Sequence, residues 1–156
     1  MGGEPRENIL RLEFLNLPAN IGVARNAIGT FAVQIPFTLD EVDEIRLAVS
    51  EAVTNAVVHA YPGDRGWVRV TAWFADGALE LTVDDDGCGI PDLAAARAAT
   101  YTTDPERMGL GFSFMDSFMD QVEVRPGPSG RGTRVLMRKR PTRKDGETAS
   151  DGDGPA

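Results

Sequence analysis

Apolar and polar positions alternate over residues 8–15, with Leu10, Leu12 and Phe14 on one side. That is the period of a strand with one buried face. Pro18-Ala19-Asn20 breaks the pattern, and Asn20 is a residue type suited to cap a helix. The period then lengthens: Ile21, Ala24, Ile28, Phe31, Ala32 and Ile35 recur at helical spacing, predicting an amphipathic helix over residues 21–34 that Pro36 ends. Thr38 and Glu41 stand at capping-box spacing. They open a second helix to about residue 60, whose stripe is Val42, Ile45, Val49, Ala52, Val53, Ala56 and Val57. Tyr61-Pro62-Gly63 stops it.

Beyond the helices the pattern returns to period two. Residues 67–75 and 78–84 flank Asp76-Gly77, a strong hairpin signal. A two-residue loop sets Phe74 opposite Leu79, Ala72 opposite Leu81 and Val70 opposite Val83, so every pair on that face is apolar. The alanine-rich residues 93–99 predict a short helix, and residues 100–107 a polar loop. Phe112, Met115 and Met119 define a further helix over residues 111–119, and residues 121–125 and 133–139 a closing strand pair. The fold class is therefore α+β: a two-layer sandwich, mainly antiparallel, with helices on one face.

Composition narrows the function. A chain of 156 residues with 42% hydrophobic positions reads as one domain, residues 1–140, followed by a polar, Gly-rich tail, residues 141–156, expected to be disordered. A net charge of -8 argues against direct nucleic-acid binding. The single cysteine, Cys88, excludes an internal disulfide and any multi-cysteine metal site. Neither a secretory leader nor a membrane-spanning stretch is visible, which makes the cytoplasm the expected location. The only lysines are Lys139 and Lys144. A phosphate site earlier in the chain must therefore rely on Mg²⁺, backbone N–H groups or Arg. The Walker A loop and the protein-kinase fold, which need an early lysine, are excluded.

Three stretches carry candidate chemistry. Glu51 and Asn55 lie one helical turn apart beside the apolar stripe. A carboxylate there can take a proton, and an amide oxygen suits hard Mg²⁺. The plainer alternative is a half-exposed polar face. His59 continues the row, and its plainest role is to cap the helix C-terminus. Asp84-Asp85-Asp86 ends a strand and runs into Gly87-Cys88-Gly89. Glycines there allow close approach to a ligand, and a fixed carboxylate beside them can accept from an exocyclic amine. Cys88 reads as a small apolar filler. Gly109-x-Gly111 opens a helix and can offer N–H groups to phosphate, with Arg107 just upstream. Gly132-Thr133 reads equally well as a plain turn into a strand.

In this order the motifs resemble those of the GHKL (Bergerat-fold) ATPase superfamily. The N box corresponds to Glu51-x-x-x-Asn55, the G1 box to Asp85-x-Gly87-x-Gly89 and the G2 box to Gly109-x-Gly111. Within the superfamily the chain is most similar to bacterial anti-sigma factors that are also serine-protein kinases. The similarity spans about residues 8–140, most specifically residues 49–59, 87–92, 109–112 and 118–120. The resemblance implies Glu51 as general base, Asn55 as Mg²⁺ ligand and Asp85 on the adenine amine. It implies Gly87 and Gly89 beside the base, Thr133 flanking it, and Gly109, Gly111 and Arg107 on the phosphates. Residues 93–108 would form a lid over ATP or ADP. It further implies a homodimer that sequesters a sporulation sigma factor and phosphorylates a serine of an anti-anti-sigma protein, with Arg25 contacting both partners. Alternatives within this reading are a stress-response sigma factor, or a nucleotide-gated switch that transfers no phosphate. The catalytic half of a histidine kinase is disfavoured, because no dimerisation hairpin or phospho-accepting His precedes the first helix.

Overall fold

The computed structural model describes residues 8–90 and 112–142. Among them lie five strands and three helices: β1 (Ile9–Leu15), α1 (Ala19–Ala32), α2 (Leu39–Val58), β2 (Trp67–Ala75), β3 (Ala78–Asp85), α3 (Phe112–Phe118), β4 (Gln121–Pro126) and β5 (Thr133–Lys139). The strands form one antiparallel sheet in the order β1-β2-β3-β5-β4. This is the predicted α+β sandwich, with the helices on one face. The expected short helix at residues 93–99, the loop after it and nearly all of the tail lie outside the described residues.

The β2–β3 hairpin holds the predicted register, with Phe74 opposite Leu79, Ala72 opposite Leu81 and Val70 opposite Val83. These side chains are buried and meet the stripe of α2, where Ile45, Val49, Ala52, Val53 and Ala56 are also buried. Phe31 of α1 stacks on Phe74, ring centroids 4.7 Å apart, which fastens the first helix to the sheet. Leu10, Leu12 and Phe14 of β1 pack at the border of the same core.

The opposite sheet face is polar and laced by ion pairs between neighbouring strands. Arg134 Nε and Nη2 reach the two oxygens of Asp84 at 2.7 and 2.9 Å, and Arg138 lies 3.3 Å from Glu80. Lys139 is buried at the sheet's helix side, where its ammonium donates to the Phe118 carbonyl and lies 3.0 Å from Glu44. The one lysine among the described residues therefore joins β5 to α3 and α2.

The start of α2 is a full capping box. Thr38 Oγ1 accepts from Glu41 N–H at 3.1 Å, and Thr38 N–H donates to Glu41 Oε2 at 2.7 Å. Glu41 is used twice: its Oε1 accepts from the hydroxyl and N–H of Thr142, at 2.6 and 3.1 Å, pinning the chain after β5 to the head of α2. Burial opposes the Glu41 charge, but the Thr142 and Thr38 donors, with Lys139 nearby, outweigh it and hold the carboxyl below its ordinary range. Thr38→Ala should lower stability by about 1 kcal/mol, or about 3 °C in melting temperature. Calorimetry showing no shift would mean that this cap contributes nothing.

The entry to α1 differs from expectation. Asn20 is not its cap: Pro18 occupies that position already in helical conformation, with no side-chain bond. Proline's fixed φ suits a helix start, so the helix begins two residues early. Asn20 Nδ2 instead donates 2.9 Å to the carbonyl of Leu15, tying the helix back to β1.

Candidate nucleotide site

Helix α2 delivers one wall of a cleft. Its buried stripe fixes its rotation, so the row Glu51, Asn55, His59 runs along the border between core and solvent. Glu51 and Asn55 are half-buried and His59 is exposed. Ala52, Ala56 and Ala60 form a small-residue floor beside that row, leaving space that larger side chains would fill. The cleft is lined by Ala52, Asn55, Ala56, His59, Ala60, Val83, Asp85, Gly89, Ile90, Thr133 and Val135.

The ends of β3 and β5 supply the opposite wall. Asp85 faces the helix side because it pairs with Val68, at the end of the same alternation that buries Val83 and Leu81. Only 6% of Asp85 is exposed. Its Oδ1 accepts from Gly87 N–H at 3.0 Å and Thr133 N–H at 3.2 Å, while Oδ2 accepts no bond among the described residues. Burial pushes the Asp85 carboxyl above the usual carboxylate range. The two N–H donors pull the other way, and the charges of Asp86 and Asp84 add to the rise. The result is a fixed carboxylate with one oxygen held by backbone and one available to a donor.

Two glycines make this contact possible. A Cβ on Gly87 would stand 2.1 Å from the Ala60 carbonyl oxygen, so only glycine lets the loop lie against the end of α2. Cys88 N–H donates 2.8 Å to that same carbonyl. Gly132 has φ +73°, and a Cβ there would stand 2.0 Å from Asp85 O and 2.6 Å from its Oδ1. Cys88 is more than the small apolar filler expected: it is exposed, and its thiol donates 3.4 Å to the His59 carbonyl. The glycine loop is thus stitched to the C-terminal end of α2, which sets Asp85 in the same cleft as Asn55 and His59.

The other two aspartates are engaged elsewhere. Asp84 faces the polar sheet surface and pairs with Arg134. Asp86 is clasped by Arg69 at 2.7 and 3.0 Å and by the Ser129 hydroxyl at 2.9 Å. The Arg69 guanidinium holds its carboxyl below the ordinary range. Asp86 N–H donates 2.8 Å to the Tyr61 hydroxyl, which donates 2.7 Å to the Trp67 carbonyl. No three-residue metal cluster exists among the described residues. This clasp around Asp86 was not legible in the sequence, because its partners are 17 to 43 residues away.

Of the residues singled out from the sequence, Asn55, Asp85, Gly89 and Thr133 line one cleft. Glu51 precedes Asn55 by one turn on the same helix, and Gly87 supports the loop. Arg25 is exposed on α1, away from that lining. Arg107, Gly109, Gly111 and the lid expected over residues 93–108 lie outside the described residues.

The model of the histidine kinase-like ATPase domain matches residues 14–139. The anti-sigma F factor of Clostridium acetobutylicum is 40% identical over 136 residues, 86% of this chain and 94% of that protein. The chain belongs to the anti-sigma F factor family, built on a histidine kinase-like ATPase domain. Its members from Pasteuria penetrans and Geobacillus kaustophilus are 45% and 42% identical, each over 92% of the relative. A crystal structure of the RsbU and RsbW domains of a Mycobacterium tuberculosis protein has the same fold, with TM-score 0.61 at 19% identity. That match covers 85% of this chain and 32% of the larger one. An ATPase domain of this family implies nucleotide binding. No helix among the described residues is long and apolar enough to cross a membrane.

Proposed function

We propose that the chain is an ATP-dependent protein-serine kinase that also sequesters a sigma factor of the sporulation type, acting as a homodimer in the cytoplasm. The observation that carries the reading is the cleft itself: Asp85 presents one unbonded carboxylate oxygen beside Gly89 and Thr133, and Asn55 faces it from α2, one turn after Glu51. Asp85 accepts a hydrogen bond from the adenine amine. Asn55 supplies the hard oxygen that would hold Mg²⁺, which when bound neutralises phosphate charge. Glu51 takes the proton of a serine hydroxyl as its oxygen bonds to the γ-phosphorus and ADP leaves. Gly109, Gly111 and Arg107 receive the phosphates. The name of its relatives, anti-sigma F factor, points to a sigma factor, held without chemistry; the phosphate acceptor in this reading is an anti-anti-sigma protein. Arg25, exposed on α1, is assigned to these partners.

The test is transfer. With ATP, Mg²⁺ and the cognate anti-anti-sigma protein, labelled γ-phosphate should appear on one serine of that protein, and the chain should co-elute with its sigma factor as a dimer. Binding of ATP and both proteins without any transfer would leave a nucleotide-gated switch and overturn the kinase reading.

A further inference from the structure

The turn between β4 and β5, residues 127–132, carries three glycines and is exposed from residue 128 to residue 131. Two backbone bonds close it: Gly127 N–H donates to the Gly132 carbonyl at 3.1 Å, and Gly130 N–H to the Gly127 carbonyl at 2.9 Å. A turn of that composition does not fix its own position. Among the described residues, one side-chain bond ties its tip to the rest of the fold: the Ser129 hydroxyl donates to Asp86 Oδ1 at 2.9 Å. Asp86 is held in turn by side chain and main chain. Arg69 of β2 grips both carboxylate oxygens, at 2.7 and 3.0 Å, and Asp86 N–H donates to the Tyr61 hydroxyl at 2.8 Å.

The foot of the turn is Thr133, whose N–H is one of the two donors that anchor Asp85. The other donor, Gly87, is two residues from Asp85 and comes with the loop. The Thr133 donor arrives across 48 positions, and its 3.2 Å bond lasts only while the turn stays against the end of β3. Arg69, Asp86 and Ser129 line no part of the cleft, so any effect they have on it passes through this turn.

Resting on the nucleotide reading of the cleft, we propose that Ser129, with the Asp86–Arg69 pair behind it, is a positioning residue for base recognition. It holds the β4–β5 turn so that Thr133 N–H keeps Asp85 Oδ1, which leaves Oδ2 free for the base. The preference for a purine with an amine at the six-position therefore depends on a contact outside the cleft.

Titration calorimetry of the full chain with ATP and with inosine triphosphate, which carries an oxygen in place of the adenine amine, tests this. The parent should prefer ATP. Ser129→Ala should lower that preference by about 3-fold to 10-fold, the effect of one hydrogen bond. Ser129→Thr, which keeps the hydroxyl, should restore it, and Arg69→Met should act like Ser129→Ala by releasing Asp86. A second readout is pH. Burial raises the Asp85 carboxyl and its N–H donors oppose that rise, so a weaker Thr133 bond lets it rise further. ATP affinity should then begin to fall at a higher pH in Ser129→Ala than in the parent. A clasp that only stabilises the fold would lower the melting temperature and leave both the ATP preference and the pH of that fall unchanged. That result overturns the proposal, as does an equal loss for the two nucleotides. A parent that binds neither nucleotide, or both alike, ends the adenine reading of the cleft and the proposal with it. A parent that prefers ATP, beside a Ser129→Ala variant that prefers it equally, overturns the proposal alone. Ser129 is exposed, so Ser129→Ala keeps the test open if Arg69→Met folds poorly.

Discussion

Glu51→Gln is expected to reduce phosphate transfer to the anti-anti-sigma protein by about 10²-fold to 10⁴-fold, the usual contribution of a general base. The substitution keeps the shape of the side chain and removes its capacity to take a proton. Glu51 is half-buried and makes no hydrogen bond or ion pair among the described residues, so folding loses no partner. Stability should stay within about 0.5 kcal/mol, as for other substitutions that break no structural contact. Affinity for ATP and for the sigma factor should change by no more than a few fold, because Asp85 and Asn55 remain. The separation of transfer from binding is the diagnostic feature. Single-turnover transfer with saturating ATP measures it directly. A variant that transfers at the parental rate removes Glu51 from proton transfer, and one that loses ATP binding assigns it to the ligand instead.

How the site comes together explains which parts of it could be read from the chain alone. The α2 stripe and the hairpin register follow from local periodicity, and the two together aim Asn55 and Asp85 at one space. The apolar pairs Phe74–Leu79 and Val70–Val83 fix which face Asp85 takes, since a one-residue slip would turn it to the polar surface. What the local pattern does not contain are contacts between distant segments. Thr133 N–H reaches Asp85 across 48 positions, and Thr142 reaches Glu41 across 101. Gly132-Thr133 looks like an ordinary turn until Asp85 is packed against it. Cys88 reads as filler because its neighbours are glycines, and only the folded loop turns its thiol to the end of α2. His59 reads as a cap from its place on the helix and is the C-cap of α2, but the cleft beside it is made by strand residues more than twenty positions later.

Asp85→Asn should invert the preference of the site at the six-position of the purine. Asn Oδ1 can keep both internal bonds, from Gly87 and Thr133 N–H, so the loop geometry survives. Asp85→Ala would instead leave those two N–H groups unpaired in a buried place and confuse stability with binding. The change falls on the other atom: an amide NH₂ replaces the unbonded oxygen, so a donor now faces the donor amine of adenine. Losing a hydrogen bond to a charged group costs about 1.5–3 kcal/mol, which is about 10-fold to 150-fold in ATP affinity. Inosine triphosphate carries an acceptor at the same position. It should bind the parent poorly and the variant better than ATP does. Acidity gives an independent readout of the same atom. Burial already raises the Asp85 carboxyl, so the parent should lose ATP affinity as pH falls and the acid form takes over, whereas the Asn variant has nothing to titrate there. Parallel losses for both nucleotides, or equal acid sensitivity in both proteins, would remove Asp85 from base recognition and leave its role in holding the loop.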